Sequence, residues 1–419
     1  MYNDDELTKS GRQRSKPRQV VFLVVWIIVF AILFFEVIKL AGYTIGKVDK
    51  SKMYTYNFVN NVINNIIKDK ETTITKTESV KLATAGNIYA TSNIITGAKK
   101  GNKYDFSSGF ESIITKMKEY DVVLASLSTP VANDLGLSNN KVYTAPESIL
   151  STLNSLNVTA VATATYRAMD KNIEGIKATI GNLSKYNISQ TGISDEKNVT
   201  PIVITKNDIR IGFISYATKS NIEISKSNTG YVRMISEENV QSDVRYLKEQ
   251  NVDIIVTYLD VPNGDATVST SSQKTNTELL FKNGVNIVVT SGGSVVLDSV
   301  SDNIELSDNT KIPVYSFYSV GDLMGGYNSS IESACIVPTF EITKTITKNI
   351  EDGVILDSKV KLTVNKPIKI WTEISSSYVK KVYIMDDEIQ NFNLGKSSLS
   401  SKQYSKMKEQ YDRILEMYN

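Results

Sequence analysis

Asn251–Asp265 reads NVDIIVTYLDVPNGD, and this stretch decides the fold. β-Branched and aromatic residues run unbroken through Ile254, Ile255, Val256, Thr257 and Tyr258, reach Asp260, and stop at Pro262-Asn263-Gly264. A short apolar run without alternation, closed by turn residues, predicts a strand covered on both faces. In open α/β sheets ligands collect outside the carboxyl ends of such strands, which is where Asp260 falls.

The same pattern repeats on both sides. Strands are predicted at Val80–Ala85, Asp121–Leu127, Thr159–Ala164, Val285–Thr290 and Val314–Tyr318. Helices are predicted between them at Glu111–Tyr120, Ala145–Leu156, Asn172–Tyr186, Ser236–Gln250 and Gln273–Asn283. Pro201–Thr205 and Arg210–Tyr216 flank Asn207-Asp208, a hairpin signal. Alternating strands and helices over residues 79–345 predict an α/β domain with largely parallel sheets. Residues 346–419 lose that rhythm. Val354–Leu356, Val360–Val364, Ile368–Ile374 and Val379–Ile384 predict a small β appendage, and Ser401–Tyr418 a C-terminal helix.

Ahead of the domain, residues 1–19 form a polar tail carrying Lys9, Arg12, Arg14, Lys16 and Arg18. Residues 20–41 are apolar, with no charge from Val20 to Phe35. About 20 such residues suffice for a helix crossing a bilayer core of about 30 Å. The basic flank predicts a cytoplasmic N-terminus and an extracellular main domain. A cleaved signal peptide is the competing reading; the apolar run is longer than is usual for one, and no clear small-x-small site follows it. Residues 42–78 read as a juxtamembrane stalk. In it Val59, Val62, Ile63, Ile66 and Ile67 recur at helical spacing, and the polar run Lys68–Glu78 serves as a linker.

Composition excludes whole classes of chemistry. The 419 residues contain no histidine, which removes serine–histidine and cysteine–histidine catalysis, histidine metal ligands and histidine bases. The single cysteine, Cys335, permits no internal disulfide and no cysteine metal cluster; its apolar neighbours predict a buried thiol. A formal net charge of +2 gives no reason to propose nucleic acid as a partner.

The order of the motifs at the strand ends resembles the CapA family, capsule or poly-γ-glutamate synthesis proteins with a metallophosphatase-like fold. The motifs are Gly86-Asn87-Ile88, Tyr104-Asp105-Phe106, Ser126-Leu127-Ser128-Thr129-Pro130, Ala164-Thr165-Tyr166-Arg167 with Asp170 and Gly175, Asp260-Val261-Pro262, Thr290-Ser291-Gly292-Gly293-Ser294 and Tyr318-Ser319-Val320-Gly321-Asp322-Leu323. The resemblance implies an αββα sandwich with two central sheets over residues 79–345. It also implies a role in surface-polymer synthesis, with an anionic polymer and other membrane proteins of that synthesis as partners. The family's Gly-Asp-Ile stands here as Gly86-Asn87-Ile88, its Ala-Asn-Asn-His ends here at Arg167, and its His-Trp-Gly is Asp260-Val261-Pro262. Every histidine of the family pattern is replaced, which favours a binding or scaffold role without a cofactor.

Asp170, Asp260 and Asp322 remain as candidate site residues, with Arg167 beside them. The functional reading is a hard-cation site for Mg²⁺ or Ca²⁺, and with it a divalent-metal-dependent hydrolase or transferase. The competing reading is that the aspartates cap loops and helix starts or pair with Arg167; a pair with Asp260 or Asp322 would be a structural tie in place of the metal. Ser291-Gly292-Gly293-Ser294 is weighed in the same way, as an anion-binding nest or a plain turn. Tyr89, Tyr166, Tyr258 and Tyr318 either line a polymer groove or pack at the sheet rims.

Overall fold

From Ile254 to Val261 every residue of the central strand Ile254–Gly264 is buried, because a packed layer lies on each side of it. Ile254, Val256 and Tyr258 enter a core between two sheets, while Ile255, Leu259 and Val261 enter a second core beneath helices. The unbroken apolar run is the sequence signature of that double cover.

The computed structural model describes residues 73–139, 141–326, 329–350 and 352–418, with isolated positions 26, 29, 30 and 58. Backbone contacts group Met1–Ile74 with Ile350–Asp352, and Thr75–Asn349 with Gly353–Asn419; the second unit carries the sheets and the pocket. In chain order the strands are β1 (Thr73–Ile88), β2 (Lys99–Lys100), β3 (Lys103–Tyr104), β4 (Val122–Leu127), β5 (Val158–Ala162), β6 (Ser189–Thr191), β7 (Ile202–Lys206), β8 (Ile209–Ala217), β9 (Ile254–Gly264), β10 (Ile287–Gly293), β11 (Ser299–Glu305), β12 (Lys311–Phe317), β13 (Asp322–Met324), β14 (Ala334–Asn349), β15 (Ile355–Ile374) and β16 (Lys380–Ile384). The helices are α1 (Ser92–Ala98), α2 (Glu111–Met117), α3 (Ser148–Ser155), α4 (Asn172–Lys185), α5 (Glu237–Glu249), α6 (Ser271–Asn283), α7 (Met385–Asn393) and α8 (Ser401–Tyr418).

The protein is a mixed α/β fold with more than one sheet. One sheet has the order β16-β15-β14-β1-β4-β5-β6, with β13 beside the end of β1; a second runs β11-β12-β10-β9-β8-β7, and β2 and β3 pair as a two-stranded ribbon. β1, β4, β5 and β6 are parallel, as are β8, β9, β10 and β12. Leu82, Leu124, Phe213, Tyr258, Val289 and Phe340 fill the space between the sheets. Outside the first sheet, Ile113 and Met117 of α2 and Ile149 and Leu153 of α3 pack on Ala83, Val123 and Ala125. Outside the second, Val244 and Leu247 of α5 and Leu280 of α6 cover Ile255 and Val288. The Tyr258 hydroxyl donates to the carbonyls of Ala85 (2.8 Å) and Leu124 (3.1 Å), a polar tie across the inter-sheet core.

Local chemistry sets the ends of these elements. Asn207 (φ 48°) and Asp208 (φ 59°) supply the two left-handed residues of the turn joining β7 to β8. Thr270 and Gln273 cap α6 reciprocally, and Gly284 (φ 106°) ends it.

Three expectations need correction. Thr73–Glu78 is not linker but the first part of β1, held to β14 by hydroxyl contacts Thr75–Thr347 and Thr77–Thr345. The predicted β appendage does not stand apart, because β15 and β16 extend the first sheet beside β14. The short runs read at 354–374 are one 20-residue strand whose exposed Asp357, Ser358 and Lys359 interrupt its apolar pattern. Helices α1 and α7 and strand β11 also escaped sequence reading. Apart from positions 26, 29 and 30, the expected membrane helix over residues 20–41 lies outside the described residues, among which no helix is long and apolar enough to cross a membrane.

Candidate functional site

The carboxyl ends of β1, β9 and β10 bring Asn87, Asp260 and Gly292 to the wall of one pocket of about 200 Å³. The loops after β4 and β5 add Ser128, Tyr143, Tyr166 and Arg167. Gly86 makes the approach possible: a Cβ there would lie 2.2 Å from the carbonyl oxygen of Gly321. Only glycine lets β1 run that close to the turn leading into β13.

Asn87 is the hub. Its amide donates to Asp322 Oδ1 (2.8 Å) and to the Gly293 carbonyl (3.0 Å), and its Oδ1 accepts from the Gly292 N–H (3.2 Å). Both protons and the oxygen are committed, joining β1, β10 and β13. The Tyr89 hydroxyl donates to Asp322 Oδ2 (2.9 Å) and accepts from the Gly326 N–H (3.2 Å). Asp322 is therefore wrapped by Asn87 and Tyr89, and burial pushes its carboxyl up to about 6.

Asp260 sits 2% exposed at the pocket wall. Its Oδ1 accepts from the Tyr166 N–H (2.9 Å) and its Oδ2 from the Ser291 hydroxyl (3.1 Å). Burial pushes this carboxyl up to about 6 as well, with those two hydrogen bonds opposing the rise. Asp170 belongs to a different network, accepting from the Tyr143 N–H (2.6 Å), from Arg167 (3.1 Å) and from Asn221.

Arg167 pairs with Asp170, as the competing reading of these aspartates allows, and not with Asp260 or Asp322. The side chain reaches three residues forward along the chain and lies on a ring offered by the loop carrying Tyr143. Its guanidinium carbon is 3.8 Å from the centroid of Tyr143, and that ring stacks on Tyr89 at 5.9 Å and 5°. Tyr143 thus contacts both Arg167 and Tyr89 along the pocket, and the Tyr166 ring centroid lies 5.8 Å from the guanidinium. Of the four tyrosines singled out, Tyr89 and Tyr166 line the pocket. Tyr258 is buried between the sheets, and Tyr318 packs on Val295 and Leu297. Tyr143 was missed; nothing in Asn139–Thr144 marks it, since its role arises only when this loop meets Tyr89 and Arg167.

The three aspartates do not converge. Among the described residues no group of three or more His, Cys, Asp or Glu side chains is placed to hold a metal ion. The Asp260 oxygens already accept hydrogen bonds from within the protein, and the cation nearest the pocket is the fixed charge of Arg167. Asp170, Asp260 and Asp322 thus do not make the shared oxygen-donor set that the Mg²⁺ or Ca²⁺ reading needs. The Ser291–Ser294 segment is no nest either. It stays in β10 through Gly293, the Gly292 N–H serves Asn87, and the Ser294 N–H serves the Gly264 carbonyl.

A two-sheet α/β domain with a polar, aromatic pocket at its strand ends is the class these features define. Residues 81–327 match the model of the bacterial capsule synthesis protein family PGA_cap, and the chain belongs to that family. Among solved structures it is similar to a novel phosphatase from Mycoplasma pneumoniae, at 8% identity over 69% of this chain and 95% of that one, with a TM-score of 0.38. It is similar to a 5'-nucleotidase precursor from Thermus thermophilus, at 12% identity over 68% of this chain and 54% of that one, TM-score 0.36. A third is the calcineurin-like phosphoesterase YfkN from Bacillus subtilis, at 12% identity over 68% and 91% of the two chains, TM-score 0.33. No curated protein matches the chain.

Proposed function

We propose that this capsule synthesis protein is a membrane-anchored, externally facing component that binds an anionic surface polymer of the poly-γ-glutamate type without cleaving it. The observation that carries this reading is the Arg167–Tyr143–Tyr89 cluster beside Asp260. It offers a cation held over an aromatic surface to a carboxylate-bearing chain, and hydroxyls of Ser128 and Ser294 at the rim. The one carboxylate lining the pocket, Asp260, accepts a hydrogen bond on each oxygen from Tyr166 and Ser291, which supports a role in holding the pocket's shape. The uncharged run from Val20 to Phe35 with its basic flank supports the anchor.

The test is calorimetric titration of the full chain with poly-γ-glutamate, and separately with Mg²⁺, Mn²⁺ and Ca²⁺. Polymer binding that survives chelator, weakens about tenfold in Arg167→Ala and releases no product fits the reading. Specific metal binding abolished by Asp260→Ala, together with polymer cleavage, would replace it with the hydrolase through Asp170, Asp260 and Asp322. Protease treatment of intact cells should remove the main domain; full protection would contradict the external placement.

A further inference from the structure

Among the described residues, the arm formed by β14 and β15 leaves one edge of the first sheet uncovered. β14 pairs with β15 from Ala334↔Trp371 to Lys348↔Ile355, whereas β16 covers the other side of β15 only from Ile370 to Ile374. Among the described residues no strand lies beside the outer edge of β15 before Ile370. Its first seven residues, Ile355 to Lys361, are all exposed, with Ile355 and Leu356 more than half so. A long edge of this kind presents N–H and C=O groups that template another strand.

We propose that the occupant is the same edge of a second copy of this chain, paired antiparallel about a twofold axis at Ser358. Alternate residues of β15 turn their N–H and C=O toward β14, so a twofold register is centred on a residue. A centre at Asp357, Lys359 or Lys361 sets that charge against itself, and a centre at Val360 sets Lys359 against Lys361. Only a centre at Ser358 places Asp357 opposite Lys359 of the second copy, twice by symmetry. The same register puts Leu356 opposite Val360, also twice, and Ile355 opposite the stem of Lys361. Lys359 already lies 2.9 Å from Asp357 of its own strand, so four charges alternate in sign around the axis. Cross-strand opposite-charge and apolar pairs are the interactions that fix register in a sheet. The pairing is independent of what the pocket binds.

Sedimentation velocity of the detergent-solubilised full chain should show a dimer. Asp357→Lys or Lys359→Asp alone should weaken it by about tenfold or more, and the double reversal should restore it. These side chains are exposed, so folding should be unaffected in all three variants. Because Cys335 is buried, Ser358→Cys provides the one accessible thiol; mild oxidation should link two copies through it, while Lys361→Cys should stay unlinked. A monomeric wild-type chain, or a dimer that survives either single reversal and fails to cross-link at Ser358→Cys, overturns the proposal. A monomer that gains a strand from another protein at this edge overturns it equally.

Discussion

Replacing Asp260 with asparagine should make the protein more stable at pH 8, although the residue stands in the wall of the candidate site. Its carboxyl moves from 3.8 to about 6 on folding, and burial is the main cause. Protonation is thus favoured by the folded state. The associated stability is present in full below 3.8, falls as pH rises toward 6, and is absent above that. At pH 8 the buried charge costs on the order of 3 kcal/mol, taking about 1.4 kcal/mol for each tenfold change in acidity. Asparagine is isosteric and keeps both neighbours satisfied. Its Oδ1 accepts from the Tyr166 N–H, and its Nδ2 donates to the Ser291 hydroxyl that formerly donated to Oδ2. The gain should therefore approach the full penalty, raising the melting temperature by several degrees at pH 8, with a smaller rise at pH 5. Differential scanning calorimetry of wild type and Asp260→Asn at the two pH values reads it directly. A variant less stable than wild type at pH 8 would refute the reasoning, since the carboxylate would then have to be held ionised by a cation in the pocket.

Tyr258→Phe should destabilise by about 1–2 kcal/mol in urea unfolding, because the carbonyls of Ala85 and Leu124 lose a buried donor. Gly86→Ala should cost about 3 kcal/mol, as its Cβ would meet the backbone oxygen of Gly321, which cannot swing away as a side chain would. Asp243→Ala should lower stability by about 3–5 kcal/mol, since Asp243 is buried and accepts from both the Tyr216 hydroxyl (2.8 Å) and Arg233 (2.8 Å). Calorimetric melting at neutral pH separates the last two from Tyr258→Phe.

Where burial was continuous, the sequence was readable. The run at Ile254–Val261 announces a doubly covered strand, and the neighbouring strands and helices follow the same logic. The position of Asp260 at the pocket wall follows from the strand's end. What could not be read depends on side chains meeting across loops. Asn87 stands where the resembled family has an aspartate, yet its amide is what binds three strands together, and no local pattern distinguishes a lost ligand from a gained hub. Arg167 could reach several carboxylates; it lies on the Tyr143 ring as it pairs with Asp170, and that ring comes from a segment without periodicity. The outer half of β15 was fragmented because periodicity reports burial, and a strand exposed on both faces has none to report.

The central place of β1 has a consequence for how the chain folds. One neighbour, β4, follows it closely in sequence, but the other, β14, comes from near the end, and the Thr84 hydroxyl donates to the Pro338 carbonyl 254 residues later. Closing so large a loop makes the pairing slow, and it cannot begin until most of the chain has been made. Until then β1 is a nascent edge of 16 residues with its most apolar half uncovered. Chains truncated before β14 should accordingly accumulate as aggregates rather than as a smaller domain, and the complete chain should fold late, after synthesis of its last strands.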